Sequence, residues 1–148
     1  MYTTRNKTKY KHKRTQKHRK KNIKRLVYRL LQSLIIVKLY HWNTQSFSVH
    51  KATDELYEQL NSNIDKFIEV LLGKHKRINK NAILDFDSLK IKTYKTNNTF
   101  LKWLDKFKHY LIEVDSIFIP NEDSDILNIR DEILANLNKL SYLLTLHP

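Results

Sequence analysis

Histidine and carboxylate are the side chains in this sequence best suited to bind a metal ion, because the chain has no cysteine. His41 and His50 flank a short polar stretch, and Asp65 and Glu69 follow further along. Asp65 and Glu69 are four residues apart, so on a helix they form a carboxylate pair on one face. Imidazole together with carboxylate is typical of iron or manganese sites rather than copper or thiolate sites.

The spacing of these residues constrains how they can meet. Fifteen residues separate His50 from Asp65, which corresponds to about 22 Å along a helix, so the two cannot share a metal ion within one chain. Fifteen steps of about 100° return to within about 60° of the starting direction, so both residues lie near one face. If two such helices pack antiparallel about a two-fold axis, His50 of each copy meets Asp65 and Glu69 of the other.

The elements that position these residues are predicted to be helices. Apolar residues recur three and four positions apart from about residue 22 to 42, which predicts a first helix. The same periodicity from Val49 to Leu71 predicts a second helix, with Ser48 as a candidate N-terminal cap and Gly73 as the C-terminal cap. The histidines therefore lie on either side of the junction between these two helices.

Two further helices complete the predicted fold. The third begins near Phe100 and stops at Pro120, and the fourth begins in the acidic cluster of residues 122–125. Residues 74–98 form a long crossover, in which the apolar residues from 82 to 91 predict a short helix. One long crossover between short connections is typical of ferritin-like folds, so we predict an all-α, ferritin-like four-helix bundle with a short helix between helices 2 and 3.

Composition excludes several classes of function. With one glycine and two prolines, the chain has no glycine-rich phosphate loop of the dinucleotide or P-loop kind. A di-iron site within one ferritin subunit needs Glu-x-x-His pairs, and none of the seven histidines has a glutamate three residues before it. The uncharged apolar runs are too short to span a membrane, so no membrane partner is expected.

The positive charge is concentrated at the N-terminus. Of the net charge of +13, residues 1–25 contribute twelve Lys and Arg and no acid, which leaves sixteen basic and fifteen acidic residues for the rest. We expect a disordered basic tail over residues 1–21 and a bundle over residues 22–148. Such a tail binds DNA or RNA phosphates by counterion release; a solubilising arm or a localisation signal are the alternatives. The candidate nucleic-acid-binding residues are Arg5, Lys7, Lys9, Lys11, Lys13, Arg14, Lys17, Arg19, Lys20 and Lys21.

The residues around the two histidines form a more specific pattern. The sequence has His41–Asn43, reading His-Trp-Asn, near the end of the first predicted helix, and His50 opens the second. The stretch Val49–Glu58 contains an Asp-x-x-x-Glu spacing, and Asp65 and Glu69 follow His50 at offsets of 15 and 19 residues. With a Leu-Gly helix end, a crossover helix and a Leu-rich last helix, this pattern resembles the Dps mini-ferritins over nearly the whole predicted bundle.

The resemblance implies a ferroxidase site made by His41 and His50 of one subunit with Asp65 and Glu69 of another. It implies no catalytic residue beyond these ligands. It also implies that Fe(II) bound there reduces peroxide and that the ferric product is stored in a closed shell, a dodecamer built from two-fold dimers. The sequence departs from the family in one respect: its connection from His41 to His50 is a few residues shorter and has Gln45 and Ser46 in place of the usual glycine.

The leading interpretation is therefore a Dps-like protein that oxidises iron and protects DNA through its basic tail. Its expected location is the cytoplasm or nucleoid, or the nucleus or virion if the source is a eukaryote or a large DNA virus. One alternative is a non-enzymatic nucleic-acid packaging or structural protein on a degenerate ferritin-like scaffold. Another is a small interaction module whose tail directs localisation. Trp42 is interpreted as an aromatic residue of the core or of a dimer interface.

Overall fold

The computed structural model describes the backbone of residues 3–76 and 78–146, and the side chains of residues 17–76 and 78–146. Within these residues every regular element is a helix. The elements are α1 (Thr3–Asn43), α2 (Phe47–Lys74), α3 (Lys80–Leu84), α4 (Asn97–Glu113), a 3₁₀ turn (Val114–Ser116) and α5 (Ser124–Leu143).

The four long helices form the bundle, and α3 lies in the crossover between α2 and α4. Helix α2 packs against both α1 and α5, α4 packs against α5, and α3 packs against α1. One apolar face of α2 supplies much of the core, and its members recur at the spacing of a helix face: Val49, Leu56, Leu60, Ile64, Phe67 and Leu71. The predicted ferritin-like four-helix bundle with a short crossover helix is confirmed.

Helix α1 is longer than predicted, because it begins at Thr3 instead of near residue 22. The added residues are rich in Lys and Arg, which are good helix formers, and residues 3–43 contain neither glycine nor proline. Residues 3–21, for which the sequence predicts disorder, are therefore helical in this structure. The division into a tail of residues 1–21 and a bundle of residues 22–148 stays a prediction.

Two helix ends also differ from the predictions. Helix α2 is capped by Ser46, whose side chain accepts a hydrogen bond from the Val49 amide, rather than by Ser48. At its other end, the helix continues through Gly73 to Lys74, and the amide of His75 donates to the Leu71 carbonyl. Gly73 has no positive φ, so the predicted glycine cap is wrong. The C-terminus of α2 needs no left-handed residue because an ordinary backbone hydrogen bond closes its last turn.

A buried arginine joins α4 to α5. The Arg130 guanidinium donates to the Leu111 carbonyl, to Asp115 and to Asp131, each at 2.7 Å. Arg130 is only 7% exposed, and these bonds supply acceptors for its buried N–H groups. They also link the end of α4 to α5. Helix α4 gives way to the 3₁₀ turn after Glu113, earlier than the predicted end of the third helix.

In the part of the chain that is described, no helix is long and apolar enough to cross a membrane.

Candidate metal centre

The two histidines meet at the junction between α1 and α2. Only residues 44–46 separate the helices, and the Thr44 amide donates to the Tyr40 carbonyl, which closes the last turn of α1. His41 lies in that last turn and His50 in the first turn of α2. Their imidazole rings stack with centroids 3.8 Å apart and planes inclined by 27°. The short connection therefore brings the two rings into direct contact.

Backbone carbonyls fix the tautomer of both rings. His41 Nδ1 lies 3.0 Å from the carbonyl oxygen of His50, and His50 Nδ1 lies 3.1 Å from the carbonyl oxygen of His41. A carbonyl oxygen only accepts hydrogen bonds, so each Nδ1 must carry the hydrogen. In the neutral imidazole, Nε2 then keeps the lone pair that a metal ion needs. The structure thus holds both histidines in the tautomer of Nε2 ligands.

His41 also has polar neighbours on α2. It is only 5% exposed, and the hydroxyl oxygen of Thr53 lies 3.3 Å from its Nδ1. Asp54 Oδ1 lies 3.6 Å from His41 Nε2, and Lys38 Nζ lies 3.7 Å from the same carboxylate oxygen. Sequence reasoning missed Asp54 as a site residue. Its position four residues after His50 was the available signal, because that spacing places it on the same face of α2.

The residue before His41 anchors the end of α1 in the core. The Tyr40 ring stacks on Phe100 with centroids 3.8 Å apart, and its hydroxyl donates to Asn97 at the start of α4. Burial raises the pKa of the Tyr40 hydroxyl above its ordinary value. This aromatic contact fixes the last turn of α1 and therefore the backbone from which His41 projects.

Asp65 and Glu69 lie on an exposed face of α2, away from the histidines. The fifteen residues between His50 and Asp65 correspond to about 22 Å of helix. Neither carboxylate has a Lys, Arg or His nitrogen within ion-pairing distance among the residues with described side chains. Within those residues, no group of three or more His, Asp or Glu side chains is arranged to hold a metal ion. One chain therefore brings together His41 and His50 but not all four predicted ligands.

Exposed aromatic residues flank the histidine pair. Trp42 is 66% exposed and Phe47 is 76% exposed, although both are large apolar side chains. Lys38 Nζ lies 5.8 Å from the centre of the Trp42 ring, close enough for a cation–π contact. Trp42 is therefore not a core residue of the single chain, and its place in a dimer interface stays a prediction.

The structure describes only part of the predicted nucleic-acid-binding segment. Lys17, Lys20 and Lys21 are exposed on α1. Arg19 instead points toward the bundle, where its Nη2 lies 3.2 Å from Asp123 Oδ2. The other predicted residues have side chains outside the described range: Arg5, Lys7, Lys9, Lys11, Lys13 and Arg14.

Comparison with known proteins gives two matches. A family model described as a family of unknown function (DUF5856) matches residues 41–144, from the first histidine of the pair to the end of the bundle. A DNA protection during starvation protein of Helicobacter pylori strain J99 is 29% identical over 119 residues, which cover 73% of this chain and 83% of that relative. No solved structure matches the chain.

Proposed function

The chain belongs to the family of unknown function DUF5856, and from its similarity to a DNA protection during starvation protein we propose that it is a Dps-like protein. It binds and oxidises Fe(II) between two copies of the chain and binds nucleic acid through its basic N-terminal residues. The observation that carries the proposal is the tautomer of the two histidines. Both Nδ1 atoms donate to backbone carbonyls, so the lone pair of each neutral ring is on Nε2, where a metal ion can bind.

The donor set fits Fe(II) as a substrate. Two imidazole Nε2 atoms from His41 and His50 supply nitrogen ligands, and Asp65 and Glu69 of a second copy supply oxygen ligands. The two carboxylates offset the charge of a divalent cation. Both are exposed on α2, so they are accessible to a second chain. Each bound Fe(II) gives up one electron, and a peroxide molecule accepts two.

A two-fold axis across α2 would complete two such sites at once. The histidine pair lies near the N-terminus of α2 and the carboxylate pair about four turns later, near the same face. In an antiparallel pair of α2 helices, the histidines of each copy face the carboxylates of the other. The exposed Trp42 and Phe47 lie beside the histidines and are suited to burial in the same interface. We propose that these dimers assemble into a closed homo-oligomer.

Nucleic-acid binding is assigned to the basic segment at the start of the chain. Residues 1–25 carry twelve of the 28 Lys and Arg and no acid. Lys17, Lys20 and Lys21 are exposed where the segment joins the bundle. Binding through such a segment is independent of sequence and weakens as salt rises. The name of the Helicobacter relative refers to DNA, which favours DNA over RNA as the partner. Its bacterial source favours a location in the cytoplasm or nucleoid.

A second candidate is a packaging or structural protein without iron chemistry. It is favoured by the contacts of His41, which is buried and has neighbours within its own chain at both ring nitrogens. On this interpretation, the contact of His41 Nε2 with Asp54 Oδ1 at 3.6 Å serves only to join α1 to α2. In that case, the exposed carboxylates of Asp65 and Glu69 are solvated charges.

Native mass measurement combined with an anaerobic Fe(II) titration tests the proposal. We expect a closed oligomer that binds about one or two iron ions at each of the two sites of a two-fold interface. A monomer that binds no iron would contradict the proposal. An oligomer that binds DNA but takes up no iron would instead support the packaging candidate.

Substitutions that introduce a charge test the location of the interface separately. Trp42→Glu or Phe47→Glu adds a charge where the proposal expects apolar burial, so either variant should dissociate the oligomer. Ile112 on α4 is also exposed, at 54%, and provides the control, because Ile112→Glu should leave the mass unchanged. Dissociation by the control variant alone would place the interface on α4 and rule out the intersubunit site.

A further inference from the structure

A cavity of about 470 Å³ lies at the opposite end of α2 from the histidine pair. It opens between the part of α1 near residues 19–23 and the segment that follows α2. The polar residues that line it are all basic or histidine: Arg19, Lys20, Lys74, His75 and Lys76. Ile23 and Ile78 form its apolar wall. No carboxylate is among the described lining residues.

Buried polar atoms beside this cavity lack hydrogen-bond partners. Arg19 Nε and His75 Nε2 are buried and make no hydrogen bond to any described residue. His75 Nε2 is 3.0 Å from Asp123 Oδ1, but that oxygen also has no hydrogen bond, so the contact lacks the alignment of one. Buried donors without partners are costly. Both atoms have almost no accessible surface, so they lie behind the surface of the cavity and not on it.

Asp123 does not line the cavity, but it contacts residues that do. It is 1% exposed, its Oδ2 accepts from the Ile119 amide at 2.9 Å, and the same oxygen contacts Arg19 Nη2. Lys74 Nζ is 3.6 Å from Asp123 Oδ1 and 2.6 Å from Asp125 Oδ1. The wall is therefore braced by carboxylates that lie outside the lining.

Charge in the cavity is not balanced by these carboxylates. The described lining has four permanent cations and two carboxylates contact them, which leaves an excess of two positive charges. Lys20 and Lys76 account for that excess, because neither forms an ion pair with any residue whose side chain is described. A phosphate group carries between one and two negative charges near neutral pH.

We propose that this cavity binds a phosphate group, held by the ammonium groups of Lys20 and Lys76 in a lining whose charged groups are all basic. Such a group accepts charge-assisted hydrogen bonds from more than one cation at once, which suits the unbalanced positive charge of the lining. A metal ion does not fit, because His75 and Asp123 would be its only ligands and cations surround them. The phosphate comes either from a nucleic-acid backbone that follows α1 or from free phosphate. The inference is independent of the iron site and of assembly.

Calorimetric titration of the full chain with inorganic phosphate, at ionic strength held constant with sodium chloride, tests the proposal. The wild type should bind phosphate saturably with one site per chain. Lys20→Gln with Lys76→Gln should weaken binding by at least about tenfold, because it removes the two unbalanced charges.

The matched control removes the same charge elsewhere. Lys102 and Lys106 are exposed on α4, and Lys102→Gln with Lys106→Gln should leave the phosphate affinity unchanged. Circular dichroism checks that every variant is folded. Absence of saturable binding by folded wild type, or an equal loss in the control, would overturn the proposal.

A single-stranded oligonucleotide added as competitor then identifies the source of the phosphate. Displacement of inorganic phosphate by the oligonucleotide in the wild type assigns the cavity to a nucleic-acid backbone. Persistence of phosphate binding beside bound oligonucleotide assigns it to free phosphate. The iron titration is a separate measurement, so failure of the iron proposal does not affect this result.

Discussion

The imidazole rings of His41 and His50 stack with centroids 3.8 Å apart, and each ring lies with its Nδ1 at hydrogen-bonding distance from the other residue's carbonyl oxygen. This reciprocal arrangement holds the end of α1 against the start of α2. It also means that neither ring can turn without losing a hydrogen bond and the stacking contact. The two Nε2 atoms are therefore presented as a fixed pair, which is the requirement for a ligand pair that does not reorganise on metal binding.

Replacing Asp65 by Asn and Glu69 by Gln should abolish stabilisation of the protein by Fe(II). The change keeps side-chain shape nearly constant but removes the charge that offsets a divalent cation. Without metal, Tm should stay the same or rise slightly, because two like charges four residues apart repel each other on a helix. Thermal unfolding with and without anaerobic Fe(II) measures both effects.

The control for this double variant is Glu113→Gln with Asp87→Asn, which removes the same charge at two exposed residues outside α2. It should leave the Fe(II)-induced rise in Tm unchanged. If the Asp65 and Glu69 variant also keeps its full Fe(II)-induced rise, these carboxylates are not ligands.

Deleting residues 2–16 should remove most of the DNA affinity without destabilising the bundle. This deletion takes away six Lys and Arg but leaves the contact between Arg19 and Asp123. The slope of log K against log salt should fall by up to about 5. Deletion of residues 2–21 should weaken DNA binding further. It should also lower Tm, because the buried carboxylate of Asp123 loses its contact with Arg19. Band-shift assays at two salt concentrations measure the affinity, and salt-insensitive binding that survives the shorter deletion would show that the segment is not the binding element.

Asp123→Ala should destabilise the folded chain by about 2 kcal/mol, because it leaves the Ile119 amide and the Arg19 guanidinium without their acceptor. The corresponding fall in Tm is about 4 to 8 °C for a chain of this size. Asp125 is also an acidic residue at the start of α5 but is largely exposed, so Asp125→Ala should cost much less. Urea unfolding compares the two variants. Equal losses would show that burial of Asp123 has no role in stability.

The stability of the protein should decrease at alkaline pH, in part through Tyr110. Burial raises the pKa of the Tyr110 hydroxyl, although the guanidinium groups of Arg25 and Arg29 oppose the shift. A raised pKa means that the stability it contributes is fully present below the ordinary value of 10.0 and is lost as pH rises through the folded-state value. Tyr110→Phe should therefore flatten the fall in unfolding free energy above pH about 10. Urea unfolding at several alkaline pH values tests this, and an unchanged slope would contradict it.

Local sequence pattern was sufficient to predict the helices of the bundle and the short helix in the crossover. The apolar residues of α2 recur at helical spacing, and those same residues are buried in the structure. The start of α1 was not predictable in the same way. Charge and low hydrophobicity predicted disorder for residues 3–21, whereas their Lys and Arg side chains have the intrinsic helix propensity that the structure shows.

Contacts between distant residues could not be predicted from the sequence. Asp123 contacts Arg19 across 104 residues, and no spacing rule links two such positions. The pairing of His41 with His50 was expected from the resemblance, but the ring stack and the contact of His41 with Asp54 depend on the angle at which α1 meets α2. That angle is set by packing of the bundle and by the short connection, rather than by local sequence.

Mixing two inactive variants measures most directly whether the iron site lies between two chains. One variant carries His41→Gln and His50→Gln, and the other carries Asp65→Asn and Glu69→Gln. Each assembled alone should fail to oxidise Fe(II) with peroxide. After dissociation, mixing in equal amounts and reassembly, half of the dimers are hybrids with one intact interface site each, so oxidation should return to about a quarter of the wild-type level. No recovery in a mixture shown by mass to contain hybrid dimers would contradict a site shared between two copies of the chain.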